Sequence, residues 1–313
     1  MALKEFEIIK KFFQSYSTKR SDVILGSGDD CALVKIPNDQ LCAITTDTLV
    51  SGIHFHENMA PEAIAYKSIA VNLSDLAAMG AQPCWITMAL TMPSIDENWL
   101  ARFSSSLSMI LNDYGVQLIG GDLTKGPLSV TVQAQGIIPP SKAMQRNKAK
   151  PGDQIYLTGE IGLASLGVAS LNQQIQLAED DLKMAVHALQ YPIPRVSEGI
   201  KLRDIAHAAI DISDGLLADL HHILEASQVG AEIDLKKIPM SPIVKKYYSP
   251  HQAYELALTG GDDYELCFTA PSSSALALQS FFCIGKITEA LEFKVLDEQG
   301  KDFSVTQKGY EHF

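Results

Sequence analysis

The 313-residue sequence has few cysteines, no basic excess and no long apolar run, and each shortage removes a class of protein. Its five cysteines (Cys31, Cys42, Cys84, Cys267, Cys283) are scattered and never spaced Cys-x-x-Cys. Neither a disulfide framework nor a thiolate zinc site follows. Lys and Arg total 25 against 37 Asp and Glu, a formal net charge of −12 with a pI near 5.1. General binding of nucleic acid or of an anionic membrane needs a basic field that this balance does not supply. No segment provides the roughly 18 consecutive apolar residues of a membrane span. The nearest, Leu76 to Pro93, is broken by Gly80, Gln82 and Pro83. Met1 to Lys10 mixes charges among its apolar residues and lacks the h-region of a signal peptide, so a cytoplasmic location is expected.

The familiar phosphate-handling and hydrolytic motifs are missing too. There is no G-x-x-x-x-G-K-[ST], no H-R-D and D-F-G pair, no G-x-S-x-G and no H-E-x-x-H. Gly26-Ser-Gly-Asp-Asp-Cys lacks the third glycine of a dinucleotide fingerprint. His221 and His222 are adjacent on a predicted helix and point in different directions, and His54 and His56 lack a third ligand at a recognisable spacing.

What remains is ordinary globular material, 46% hydrophobic and 20% charged, long enough for about two domains. An amphipathic helix is expected over Leu3 to Phe13, with Phe6, Ile9 and Phe13 on its apolar stripe. Pro61 opens a long helix that Gly80 closes, and Asp96 caps another that runs to Tyr114. β-like runs cover Cys31 to Ile36, Leu41 to Thr46, Cys84 to Thr91, Val116 to Ile119 and Leu128 to Ile138. Pro139 to Asp153 is rich in proline and is the most basic stretch of the chain. It reads as a domain boundary or a mobile flap, dividing the chain into 1–138 and 139–313. The second half again alternates strands (Gln154 to Thr158, Ala209 to Ile212, Ala231 to Leu235, Glu265 to Thr269) with helices, so the fold class is mixed α/β.

The aspartates carry the chemistry. Asp29-Asp30 follow Gly26-Ser-Gly. Asp47 is expected to end the strand Ala43 to Thr46, and Asp122 the run Leu118 to Gly121. Asp211 and Asp214 flank Ile212-Ser213, and Asp262-Asp263 follow Gly260-Gly261. Asp75 lies within a helix of small and apolar residues, its nearest cation in that helix being Lys67, two turns away. Singly, an Asp beside Gly is a turn or cap residue. Repeated after apolar strands in both halves, the pattern points to carboxylates converging on one crevice. Hard cations such as Mg²⁺ relieve the repulsion there, with the hydroxyls of Thr45 and Thr46 as further oxygen donors.

In order along the chain come Gly26-Ser-Gly-Asp-Asp-Cys-Ala, Thr45-Thr-Asp-Thr-Leu-Val-Ser-Gly-Ile-His-Phe, Ala70-Val-Asn-Leu-Ser-Asp-Leu-Ala-Ala-Met-Gly-Ala and Leu118-Ile-Gly-Gly-Asp. Lys150-Pro-Gly-Asp, Asp211-Ile-Ser-Asp-Gly-Leu and Gly260-Gly-Asp-Asp-Tyr-Glu-Leu follow. Together these segments resemble the thiamine-monophosphate kinases. The resemblance implies the two-domain fold of aminoimidazole-ribonucleotide synthetase, with an N-terminal sheet domain that binds ATP and Mg²⁺ and dimerises, and a C-terminal α+β domain. It implies γ-phosphoryl transfer from ATP to thiamine monophosphate with several Mg²⁺ ions, and K⁺ stimulation is common among members. Position by position, Asp30, Thr45, Thr46, Asp47, Asp75, Asp122, Asp211 and Asp214 match metal ligands. Gly121, Asp122, Arg146 and Ser213 match nucleotide contacts, and Tyr114 either packs on adenine or is a core tyrosine. His54, Asp262 and Tyr310 match the thiamine side. Two departures stand out: Asp262 occupies a position that is usually Glu, and Asn147-Lys148-Ala149 follows Arg146 where Ser-Gly-Ala is usual.

The acceptor in such a reaction is already a phosphate monoester, so no activated Ser, Cys or His is required; positioning and charge neutralisation carry the transfer. Another ATP-dependent synthetase of the same fold, or a two-metal phosphohydrolase, uses similar carboxylates and stays open on sequence alone.

Overall fold

In the computed structural model, residues 5–14, 19–297 and 299–305 are described. The chain divides into two compact units, Met1–Leu76 with Ala81–Ser141 and Ala77–Gly80 with Lys142–Phe313. Among the described residues no helix is long and apolar enough to cross a membrane.

The first unit opens with α1 (Glu5–Phe12). Its buried stripe is Ile8 and Phe12, an i,i+4 pair, whereas Phe6 is 82% exposed. The expected stripe of Phe6, Ile9 and Phe13 is therefore corrected by a turn of about 100° toward Ile8 and Phe12, with Ile9 and Phe13 half-buried at its margin. A short antiparallel pair, β1 (Val23–Leu25) and β2 (Leu33–Val34), follows. The main sheet comprises β3 (Leu41–Val50), β4 (Gln82–Met92), β5 (Gln117–Lys125) and β6 (Ser129–Ile138), in the order β3-β6-β4-β5. Its pairings are antiparallel except β4 with β5.

Two helices belong to this unit's connections. α2 (Pro61–Ala78) begins at Pro61, and Gly80 beyond it takes φ +72°. α3 (Glu97–Asp113) is capped by Asp96, whose Oδ1 accepts the backbone N–H groups of Asn98 (2.9 Å) and Trp99 (3.1 Å). Strand alternation gives the sheet a core face of Leu49, Ile86, Met88, Leu90, Leu123, Val130 and Val132. Ile44, Thr46, Thr48, Ala89, Asp122 and Gln133 are exposed on the other face.

The second unit holds β7 (Asp153–Leu157), α4 (Leu163–Leu171), α5 (Glu179–Gln190), α6 (Val196–Leu202), β8 (Ala208–Asp211), α7 (Leu216–Ser227) and β9 (Gly230–Asp234). These are followed by α8 (Pro242–Tyr247), α9 (Pro250–Thr259), β10 (Leu266–Pro271), β11 (Phe282–Thr288) and β12 (Phe293–Leu296). The sheet order is β12-β9-β11-β7-β10-β8, parallel only between β12 and β9. Leu157, Ile210, Ile212, Leu216, Leu220, Ile233 and Ile284 pack in its core.

Candidate active site

Asp47 and Asp122 sit inside strands, which corrects the expectation that they end them. β3 continues past Asp47 to Val50, with Asp47 opposite Val132, because the flanking threonines and Leu49-Val50 are good strand formers. β5 likewise runs through Gly120-Gly121 to Lys125. Gly121 (φ +156°) presses against β4, where an added Cβ would lie 2.0 Å from the Met88 carbonyl oxygen. A glycine is therefore required to keep β5 paired at this point.

Alternation along β3 separates the two threonines. Thr45 and Asp47 share the core face, and Thr46 is exposed on the other. On the core face the Thr45 hydroxyl donates to Asp75 Oδ2 of α2 at 2.5 Å. Asp47 lies beside the same carboxylate. Burial first, then the Asp75 charge and a hydrogen bond with Asp75, push Asp47 up to about 7. Two half-buried acids thus share one site; without a cation their joint ionisation is held back to about pH 7 and above, and a bound cation would favour it.

Asp122 is in register with Ala89, Thr131 and Thr48 across the four strands, so it occupies the open face. Three strand spacings, about 14 Å, separate β5 from β3. Within one chain Asp122 does not join the Asp47–Asp75 pair. Asp30 is exposed in the turn before β2, its N–H donating to Asp29 Oδ1 at 2.9 Å. Among the described residues no three of His, Cys, Asp and Glu are grouped to hold a metal.

His54 lies in the turn after β3. Its Nδ1 accepts the Val50 N–H at 3.0 Å, which leaves the neutral ring's proton on Nε2. Tyr114 caps the C-terminus of α3, half-buried, ahead of Gly115 at φ +64°.

In the second unit Asp211 ends β8, 5% exposed, and Ser213 and Asp214 follow in the loop before α7. The Gly260–Tyr264 loop interlocks with it. The Asp262 N–H donates to Ser213 O (2.9 Å) and the Tyr264 N–H to Ile212 O (2.8 Å). A Cβ on Gly261 would lie 2.2 Å from Ser213 O. Asp262 and Tyr264 both take positive φ (+68° and +52°), and the Tyr264 hydroxyl donates to Asp262 Oδ1 at 3.2 Å. Non-glycine residues persist there only where the surroundings over-determine them. Arg146 lies in a 3₁₀ turn (Arg146–Lys148) with its side chain exposed. Ser227 pins that turn, its hydroxyl donating to Arg146 O (2.7 Å) and accepting the Ala149 N–H (3.1 Å). Tyr310 lies outside the described residues.

Residues 28–138 match the N-terminal domain of the AIR synthase related proteins, and residues 150–290 match their C-terminal domain. The chain is 48% identical over 322 aligned residues to thiamine-monophosphate kinase of Escherichia coli K12, covering 100% of this chain and 99% of that protein. The chain belongs to the thiamine-monophosphate kinase family. The crystal structure of thiamine-monophosphate kinase from Stenotrophomonas maltophilia superposes with a TM-score of 0.85 at 38% identity, over 91% of this chain and 93% of that one. AaThiL, solved in complex with AMPPCP and TMP, superposes with a TM-score of 0.80 at 29% identity, over 89% of each chain. The chain is thus an enzyme of the phosphotransferase class with the two-domain fold of these kinases.

The kinase's Asp211-Ile-Ser-Asp-Gly-Leu segment is held by a residue that sequence reasoning passes over. Asp219, 3% exposed on α7, accepts with one oxygen the consecutive N–H groups of Ser213 (3.0 Å), Asp214 (3.1 Å) and Gly215 (3.1 Å). Burial outweighs these bonds and, with the Asp214 charge, raises its carboxyl to about 7. Asp263 turns inward, accepting the Gly162 N–H at 3.0 and 2.9 Å, and burial holds it well above the carboxylate range. Glu265 is locked by a bidentate pair with Arg195 and by the Thr158 hydroxyl at 2.5 Å. Asp263 and Glu265 are framework, whereas Asp262 is tied to Ser213 through its backbone N–H. An acid one helical turn inside a helix is the available signal for Asp219, and it reads equally well as a partner of the helix dipole.

Proposed function

We propose that this kinase transfers the γ-phosphoryl group of ATP to the phosphate of thiamine monophosphate, giving thiamine diphosphate and ADP, in the cytoplasm. The observation that carries the reading is the Asp47–Asp75 pair with the Thr45 hydroxyl: hard oxygen donors whose mutual repulsion already favours a bound cation. The donor set fits Mg²⁺, which when bound offsets phosphate charge on both reactants. We assign Thr45, Asp47 and Asp75 to metal binding on the core face of the first unit's sheet, and Asp122 to metal binding at a separate position on its open face. Asp30, Asp211 and Asp214 are assigned to metal binding as well, with Thr46 contributing through its main chain, since its side chain lies on the other face of β3 from Asp47. Gly121, Ser213 and Arg146 bind the nucleotide, Arg146 through its guanidinium on the polyphosphate, and Tyr114 packs beside the base. His54, Asp262 and Tyr310 receive thiamine monophosphate; the Tyr310 ring suits a flat cation, and the His54 Nε2–H suits an acceptor atom of the same substrate.

The phosphate oxygen of the acceptor is the nucleophile, so these residues work by holding donor and acceptor in line and excluding alternative geometries. A homodimer formed through the first unit's sheet is part of the proposal. Its exposed apolar side chain Ile44, on the open face of edge strand β3, supports that surface. K⁺ stimulation belongs to the same reading.

The deciding experiment incubates purified protein with Mg-ATP, with and without thiamine monophosphate, and measures thiamine diphosphate and ADP. Thiamine diphosphate formed in step with ADP supports the assignment. ADP released at the same rate without the acceptor overturns it in favour of a phosphohydrolase or another synthetase.

A further inference from the structure

The turn Lys150–Pro151–Gly152–Asp153, which leads into β7, sets up a hydrogen-bonded relay with His207, just ahead of β8. Asp153 is 3% exposed, and its Oδ2 accepts the Lys150 backbone N–H at 3.0 Å. Both of its oxygens lie close to His207 Nδ1, at 3.0 and 2.9 Å. The His207 main chain is fixed as well, its N–H donating to Thr269 O at 2.8 Å. A carboxylate only accepts, so the neutral imidazole carries its proton on Nδ1 and presents Nε2 as an acceptor. Lys150 Nζ lies 3.3 Å from that Nε2. Lys150 is exposed, and the His207 side chain keeps 27% of its surface open to solvent.

This is the arrangement of an activated nucleophile: an amine within reach of a base that a buried third group orients. The surrounding charge selects the reagent. Arg146, Lys148 and Lys150 are exposed in the most basic stretch of an acidic chain, where Lys142 is paired with Asp204 at 2.6 Å, and their charge attracts small anions. The geometry points to Lys150 as a preferred site of Nε-acylation by small acyl phosphates. In the step, the free amine of Lys150 attacks the acyl carbonyl carbon and a C–N bond forms. The C–O bond to phosphate breaks, inorganic phosphate leaves, and an amine proton passes to His207 Nε2 and on to water. Overall an ammonium and an acyl phosphate dianion yield an amide, hydrogen phosphate and one proton. The product loses the lysine charge and its contact with His207, four residues from the Arg146 that begins the pinned turn. The inference does not depend on the identity of the kinase substrate.

The test uses the full-length protein with acetyl phosphate at neutral pH, following acetyl occupancy of each lysine by peptide mass spectrometry. Lys148, exposed and two residues away, is the internal control. Lys150 is expected to react about five-fold or more faster than Lys148, a modest share of what a positioned base supplies inside a closed site. His207→Phe should bring Lys150 to the Lys148 rate and leave Lys148 unchanged. A Lys150 rate no higher than that of Lys148 in the unaltered protein overturns the inference, as does an undiminished rate in His207→Phe. Should that variant fail to fold, His207→Gln, which keeps a polar side chain but no base, takes its place with the same expected loss.

Discussion

Replacing Asp47 by asparagine should make the metal-free protein more stable while it disables the enzyme. Asp47 rises from an ordinary 3.8 to about 7 because burial and Asp75 both oppose its charge. The folded state therefore binds more protons than the unfolded state between about pH 4 and pH 7. Stability contributed at this site falls as pH rises through that window; the penalty is absent below it and complete above it. Roughly three pH units correspond to a ceiling of about 4 kcal/mol, and partial solvation of a half-buried group brings the expectation to about 1–3 kcal/mol. The substituted side chain carries no charge, and its amide can donate to Asp75. In chelator at pH 8, Asp47→Asn should melt higher than wild type by about 3–8 °C, using about 2–4 °C per kcal/mol for units of this size. At pH 5 about a third of the difference should remain, since the wild-type acid is then mostly protonated. Saturating Mg²⁺ should raise the wild-type melting temperature and erase the variant's advantage, while kcat of the variant stays roughly 10²–10³-fold down. Scanning calorimetry at the two pH values, with and without Mg²⁺, measures the stability changes, and steady-state kinetics the loss of turnover. A variant less stable than wild type at pH 8 in chelator, or a difference that ignores pH, would refute the reasoning.

Three further outcomes are expected. Asp122→Asn should lower kcat by roughly 10²–10³ with little change in melting temperature, since its side chain is exposed; steady-state kinetics at saturating Mg²⁺ decides, and wild-type turnover removes Asp122 from the site. Asp219→Ala leaves three backbone N–H groups without their acceptor and should cost about 2–4 kcal/mol in urea unfolding and raise KM for ATP. Asp219→Asn retains an acceptor oxygen and should recover most of both, so equal damage from the two variants would count against the loop-holding role. Arg195→Leu strands the Glu265 carboxylate, 7% exposed, at a cost of about 3–5 kcal/mol, and Arg195→Leu with Glu265→Leu should regain most of it, a double-mutant comparison that denaturant titration reads directly.

Local signals locate much of this architecture. Pro61 and Asp96 announce α2 and α3 because first-turn proline and a capping carboxylate act within a few residues of themselves. The aspartates are visible for the same reason, as acids set among small and apolar neighbours. Their partners are not. That Asp47 meets Asp75, and that Asp122 lies on the opposite face of the sheet, depends on the order β3-β6-β4-β5, which is a property of pairing between distant segments. Asp47 and Asp122 resemble strand ends because Gly-Gly and acidic residues usually break strands, whereas here the ladder and the tight approach of Gly121 to Met88 override local preference. Asp219 escapes notice because an isolated helical acid has no sequence signature that separates a loop anchor from a solvated side chain.

Helix α7 binds two of the loops at once. Asp219 near its start grips the Ser213–Gly215 amides, and Ser227 at its end grips the Arg146 turn. Twelve residues at 1.5 Å each make it a strut about 18 Å long, stiff on the scale of a side chain. The Arg146 segment therefore does not behave as an independent flap. Its guanidinium can swing, but its backbone travels with the anchor loop at the far end of the rod. Inserting one residue into α7 would turn Ser227 by about 100° and break that mechanical link while leaving Arg146, Ser213 and Asp214 in the sequence.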